Sequence, residues 1–379
     1  MKTNSTACGV TASVSGTTQQ PGDNLAAPES VCAVVGIDLG DRHSKYCVLD
    51  VQGTSIGDGI VATTPAALRL LFSGKGRMRI AVEVGTHSPW VSRLLEELGH
   101  EVIVANPRKL RLITESDAKN DHADAALLAR LAYAGPDLLS PVEHRSASVQ
   151  NDLAVVRARD ATVTARARMV TTVRGIVKST GARLKVCSTG AFASKALNDC
   201  PEPLRLALLP LLRLIQQMTA EIRLYDRIVT QKAQEAYPET AAILTIPGVG
   251  ALTALTLVLL LNNDKRRVSR SRDLGSYFGL CPRQRDSGQH VSQLGITKAG
   301  DNLMRKLAVQ CAHFMLGRFG KDSALRRWGL SLALRGGKNA KKRAVVAVAR
   351  KLVILMHRLW STQETFDATR GLRAEPQAA

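Results

Sequence analysis

The sequence predicts an α/β domain at its N-terminal end, a helical stalk of coiled-coil character after it, and a mainly α-helical C-terminal domain. Three observations predict this. Strand and helix signals alternate over 31–144; strand signal and glycine nearly vanish from about 145 to 237; and 238–363 reads as helices around a Gly/Pro/Ser-rich middle at 275–300. A chain of 379 residues is too long for one ordinary domain. Residues 1–30 are Ser/Thr/Gly-rich, with Lys2, Asp23 and Glu29 as their only charges. They lack the basic start and apolar block of a signal peptide and read as a disordered arm. Residues 364–379 read as a tail.

In chain order, "VCAVVGIDLG" (31–40) is a continuous apolar run ending at Asp38, as expected of a buried central strand. "SKYCVLDVQG" (44–53) follows as a strand and reaches a glycine turn, which suggests an antiparallel hairpin. "RIAVEVG" (79–85) is a third strand with Glu83 inside it. "SPWVSRLLEELGH" starts a helix at Ser88-Pro89 and stops it at Gly99. "EVIVANP" (101–107) is a fourth strand, ended by Pro107, and "KNDHADAALLARLA" (119–132) is the next helix. In the stalk, Val156, Val163, Ala167, Val170 and Val177 follow heptad spacing, with Asp160 and Arg174 interrupting the stripe. Leu211, Ile215, Met218, Ile222, Tyr225 and Val229 follow it more cleanly. Two long helices joined through 179–203 and closed by Pro238 are expected, as a coiled-coil hairpin or an oligomer stalk.

Composition narrows the partners. Fifty-two Lys and Arg stand against 32 Asp and Glu, giving a net charge of +20. Such an excess attracts polyanions, with nucleic acid first. No long uncharged apolar run suggests a spanning helix. The seven cysteines are odd in number, scattered and never spaced C-x-x-C, which argues against a disulfide framework and a zinc ribbon. Reduced thiols and a cytoplasmic, bacterial-type, nucleoid-associated protein are the expectation.

Four acids carry the first chemical signal. Asp38 ends the first strand, Glu83 lies inside another, and Asp121 and Asp124 are three apart on one helix. Each has a plain structural reading: a turn acid, a salt-bridged strand residue, and two helix caps. Converging carboxylates suit Mg²⁺, and a two-ion site suits phosphodiester cleavage, where one ion serves the attacking and the other the leaving oxygen. A buried strand carboxylate also demands a partner or a metal. Taken together in a polyanion-seeking chain, the four favour one shared site.

The second signal is basic. Lys265, Arg266, Arg267, Arg270, Arg272, Arg283 and Arg285 face one acid, Asp273, over 265–285, and no acid occurs from 323 to 363. With Lys298, Arg305, Lys338, Lys341, Lys342 and Arg343, these are the candidate nucleic-acid contacts, of the sequence-blind, salt-sensitive kind made to backbone phosphates. "ILTIPGVGALTALTL" (243–257) has the look of a helix-hairpin-helix, open to two readings: a phosphate-gripping turn and plain helix packing. Ser287 reads as a loop serine before Gly288, beside Arg283 and Arg285 and near His290, where a hydroxyl could attack phosphorus.

These motifs, in this order, resemble the insertion-sequence-110 family of DEDD transposases. The resemblance rests on "GIDLGDRHS", "VEVGTHSPWV", "AKNDHADAALLA", "LTIPGVGALTA", "LGSYFGLCPRQRDSG" and "GITKAGDNLMRKLAVQCA", over about 31–132 and 240–315. It implies a RuvC-like, RNase H-type domain whose carboxylates are Asp38, Glu83, Asp121 and Asp124. It further implies a second domain with a nucleophilic serine, carried to Ser287, with Ser271 and Ser276 as competitors. A DNA recombinase is implied, guided in some members by a bridge RNA and assembled through its coiled coil as a dimer or tetramer. The metal-bound carboxylates would activate the serine, and Arg283 and Arg285 would neutralise the phosphorane. The long N-terminal arm and Asp41-Arg42 depart from the family pattern. Two alternatives stand beside this reading: a Holliday-junction-type endonuclease using water, and a non-enzymatic nucleic-acid-binding protein whose acids are caps and salt bridges.

Overall fold

A computed structural model describes residues 31–106, 121–262, 268, 270–287 and 290–370, and the side chains of 121–122 and 284–293 lie outside that description. The chain divides into two compact units at 144/145.

The first unit is built on five strands, β1 (Ala33–Asp38), β2 (His43–Leu49), β3 (Ser55–Ala62), β4 (Met78–Glu83) and β5 (Glu101–Ala105), in the order β3-β2-β1-β4-β5. β1 and β2 form the expected antiparallel pair, whereas β4 runs parallel to both β1 and β5. Period-two alternation divides the sheet's faces. Ala33, Val35, Ile37, Ile80 and Val82 point to one face and pack against α1 (Pro65–Phe72) and α2 (Ser88–Glu97). Val34, Ala81, Ile103 and Ala105 point to the other and pack against α3 (Asp121–Ala134) through Ala125, Leu128, Ala129 and Ala132. Pro89 stands in the first turn of α2, and Gly99 ends its C-terminal turn at φ +90°, both as the sequence predicts. β3 and α1 were not anticipated. β3 is an edge strand with no buried residue, five of its eight being exposed, so it carries no apolar alternation.

The second unit begins with two long helices, α4 (Ala147–Ser179) and α6 (Arg205–Glu235), with the short α5 (Phe192–Asp199) between them. They pack antiparallel, since Val149–Val156 share a core with Val229 and Ala233, while Val173 and Val177 share another with Leu208, Leu212 and Ile215. The heptad seam differs from the expected one. On α6 the buried positions include Leu208, Leu212, Ile215, Thr219, Ile222 and Val229, whereas Leu211, Met218 and Tyr225 are half-exposed. On α4 nothing is buried between Val156 and Val173, and Ala167 is exposed. Charged residues at mid-seam break the continuous core a coiled coil needs.

The remaining helices are α7 (Ala241–Leu244), α8 (Ala251–Leu260), α9 (Leu274–Tyr277), α10 (Asn302–Leu316), α11 (Ala324–Leu334) and α12 (Ala340–Thr362). α8 is the centre of their core, with eight of its ten residues buried. The "IPGVG" turn leading into it uses Gly248 at φ +90°, where a Cβ would press on Phe314 at 2.5 Å. Arg145 caps the far end of α8, donating to the carbonyls of Leu259 and Leu260 at 3.1 and 3.0 Å. No helix among the described residues is long and apolar enough to cross a membrane.

Candidate active site

The carboxylates gather at the C-terminal ends of two parallel strands. Ile37 pairs with Val82 in the β1–β4 ladder, so the next step of that register sets Asp38 beside Glu83. Asp38 follows Gly36 by two residues and Glu83 follows Ala81 by two, so both carboxylates lie on the α3 face of the sheet. Both are half-buried, as is Asp124 on α3. The three sense one another: burial first, then the charges of Asp38 and Asp124, push the Glu83 carboxyl above its ordinary value of 4.5. Asp121 lies one turn before Ala125 on α3, and its side chain is outside the described residues.

Close approach of α3 requires Gly36. A Cβ there would stand 2.1 Å from the Ala125 carbonyl oxygen and 2.4 Å from the Ala129 nitrogen, so the missing side chain lets the helix rest on β1. Around the rim, the turn after β4 closes through Ser88, whose hydroxyl accepts from Gly85 N–H at 2.9 Å. His87 Nδ1 accepts from Trp90 Nε1–H at 3.1 Å, leaving Nε2 protonated towards Asp41 at 3.5 Å. Lys45 stands opposite Asp38 in the β1–β2 ladder. Sequence reading missed this lysine, because only the register brings it to the acids.

Such a set fits a divalent cation by its chemistry: hard oxygen donors at a half-buried site, where burial and then mutual repulsion raise one carboxyl. Among the described residues, no three His, Cys, Asp or Glu side chains close on a point that would hold an ion.

The serine element belongs to the second unit. The sequence reading put Ser287 in a loop; it ends a strand instead. β6 (Pro282–Ser287) and β7 (His290–Ile296) form an antiparallel ladder in which Ser287 is opposite His290. Two distant motifs build the base of this hairpin. Gly279, at φ +66°, lies so close to Ala299 that a Cβ would meet its nitrogen at 2.3 Å, and Gly300, at φ +67°, lies equally close to the Tyr277 carbonyl. Lys298 N–H donates to the Gly279 carbonyl, and Thr297 N–H to that of Cys281. Arg305 clamps the junction, its Nη1 donating to the carbonyls of Phe278, Ala299 and Gly300.

Of the basic candidates, Arg270, Arg272, Arg283, Lys298, Lys338, Lys341, Lys342 and Arg343 are exposed, and Arg305 is half-buried in its clamp. Lys265, Arg266 and Arg267 lie outside the described residues, as does the side chain of Arg285. Ser271 has a partner the sequence did not signal: its hydroxyl is 2.9 Å from His357 Nδ1, on α12. Eighty-six residues separate the two.

Comparison with known proteins gives the same order of parts. Residues 35–181 match the DEDD transposase family of IS110 elements, and residues 240–328 match the transposase IS116/IS110/IS902 family. The transposase for insertion sequence element IS1328 of Yersinia enterocolitica is 32% identical over 257 residues, covering 66% of this chain and 74% of that protein. The transposase for IS1111A of Coxiella burnetii is 26% identical over 354 residues, 88% of this chain and 91% of that one. A pilin gene-inverting protein of Moraxella bovis is 28% identical over 124 residues, 32% of this chain and 37% of its own. With its α/β start, its helical second half and these matches along most of its length, the chain belongs to the IS110 family of insertion-sequence transposases.

Proposed function

We propose that the chain cuts and rejoins the DNA of its insertion sequence through a serine nucleophile assisted by divalent metal, Mg²⁺ by preference, under the direction of a bridge RNA. The observation that carries this reading is Asp38 beside Glu83, with Asp124 close enough to help raise the Glu83 carboxyl, since converging like charges are costly unless a cation joins them. The sheet order β3-β2-β1-β4-β5, with acids at the ends of β1 and β4, supports a RuvC-like, RNase H-type domain. Asp38, Glu83, Asp121 and Asp124 would hold the metal, which supplies charge stabilisation at the scissile phosphate.

Ser287 attacks phosphorus. Its O–P bond forms as the P–O3′ bond breaks, and its proton passes to the departing 3′ oxygen. The reverse attack by another 3′ hydroxyl rejoins the strands and frees the serine. Arg283 and Arg285 flank it with positive charge. Subunits associate through the α4–α6 hairpin, so that acids and serine of different copies meet on double-stranded DNA. The inverting activity named for the Moraxella protein is in keeping with conservative rejoining.

A second reading keeps the chemistry and moves the hydroxyl. Ser271 sits against His357, its hydroxyl oxygen 2.9 Å from Nδ1. The test is a denaturant-stable protein–DNA adduct, formed from purified protein, Mg²⁺ and the element's junction DNA, with and without co-purifying RNA. Loss of the adduct in both Ser287→Ala and Asp121→Ala supports the first reading. An adduct that persists in Ser287→Ala and disappears in Ser271→Ala supports the second. Metal-dependent nicking without any adduct means hydrolysis by water. Binding without cleavage, with RNA present, means a nucleic-acid-binding protein only.

A further inference from the structure

The break in the α4–α6 seam is a cavity. Buried apolar side chains on α4 stop at Val156 and resume at Val173, and the gap is a half-open cavity of about 350 Å³ between α4, α6 and α10. Its walls carry Arg159, Arg166, Arg223 and Lys306 against two acids, Asp160 and Asp226. Both acids are already engaged: Arg159 Nε donates to Asp226 at 2.6 Å, and Lys306 Nζ to Asp160 at 2.6 Å. Among the described residues, no carboxylate pairs with Arg166 or Arg223, so the cavity keeps an excess of two positive charges.

Arg166 is the telling residue. Its Nη1 donates to Thr219 Oγ1 at 3.2 Å, while its Nε is enclosed without an acceptor. Burial, then the nearby charge of Arg159, holds its pKa below the ordinary arginine value; Arg223 adds to this and Asp226 opposes it. A guanidinium that is partly buried beside like charge gains from any added counter-charge.

We propose that this cavity binds a phosphate group, its charge balanced by Arg166 and Arg223. Phosphate suits it because arginine recognises tetrahedral oxyanions through several donors at once. The group is either free phosphate or a phosphodiester of bound nucleic acid. Neither the four carboxylates nor Ser287 line this cavity, and its test needs no cleavage.

The thermal midpoint of the full chain is measured against inorganic phosphate, with chloride at matched ionic strength as reference. Wild type is expected to rise steadily with the logarithm of phosphate concentration. Arg166→Met and the exposed-position variant Arg223→Gln are expected to flatten that rise, whereas Lys195→Gln, an exposed cation outside the cavity, keeps it. No rise in wild type, or the same rise in all four proteins, overturns the proposal and leaves the cavity to water or to general charge screening. A second arm fixes the source of the phosphate. If nucleic acid supplies it, the slope of log K for duplex DNA against log salt falls by about one in Arg166→Met. A flattened phosphate response with an unchanged slope assigns the site to free phosphate.

Discussion

Replacing Gly36 with alanine tests the geometry of the carboxylate site without touching a carboxylate. The added Cβ would stand 2.1 Å from the Ala125 carbonyl oxygen and 2.4 Å from the Ala129 nitrogen, more than an ångström inside ordinary van der Waals distance. Both obstacles are helix backbone, so no rotamer change relieves them and α3 must move away from β1. Overpacking of this kind costs about 1–3 kcal/mol, and two backbone contacts put this case at the upper end. At about 4 °C per kcal/mol for a unit of this size, the midpoint falls by roughly 8–12 °C. Because α3 also carries Asp121 and Asp124, the same displacement parts them from Asp38 and Glu83. A shift of about 1 Å in a catalytic geometry costs on the order of 10²-fold in rate. Thermal denaturation and junction-cleavage rate are measured side by side, with Gly57→Ala as control. Gly57 faces open space on the edge strand, and that variant is expected to stay within about 0.5 kcal/mol of wild type. A Gly36→Ala protein with wild-type midpoint and rate would refute the claim that helix approach sets the site.

Three further outcomes are expected. Without divalent metal, the raised Glu83 pKa means the folded state holds a proton more tightly than the unfolded one. That stabilisation is complete below about pH 4.5 and is lost as pH rises through the folded value; Glu83→Gln removes this pH dependence, is more stable than wild type at neutral pH, and does not respond to added Mg²⁺, all read by thermal melts. Arg305→Ala, which strips three carbonyls of their charged donor, costs about 2–3 kcal/mol and exposes the 280–300 region to limited proteolysis, and Arg305→Lys restores only part of this because a point charge cannot span the junction. The triple substitution Lys341→Gln, Lys342→Gln, Arg343→Gln lowers the salt slope of DNA binding by up to about 3 if each side chain meets a phosphate, and an unchanged slope would remove this face from the nucleic-acid interface.

What the sequence made legible, and what it hid, follow one physical rule. β1, β4 and α2 were readable because each announces itself within a few residues: an apolar run, an interrupted apolar run, a Pro–Gly frame. β3 and the β6–β7 hairpin were hidden because edge and polar strands are held by backbone ladders and leave no apolar period. The candidate acids were legible by type, since carboxylates in apolar surroundings stand out. Their neighbourhood was not: Asp38 beside Glu83 depends on a strand register spanning forty-five residues of chain, and Lys45 and the Ser271–His357 contact likewise depend on pairings between distant segments. The residues that set these distances are chemically silent. Gly36, Ala125 and Ala129 bring a helix to a strand, and Gly279 and Gly300 bring two loops together, by lacking the atoms that would keep them apart. Reactive side chains can therefore be read from their own chemistry, whereas the positions that aim them become visible only where backbones meet. For this chain, the informative substitutions add a methyl group at the second kind of position.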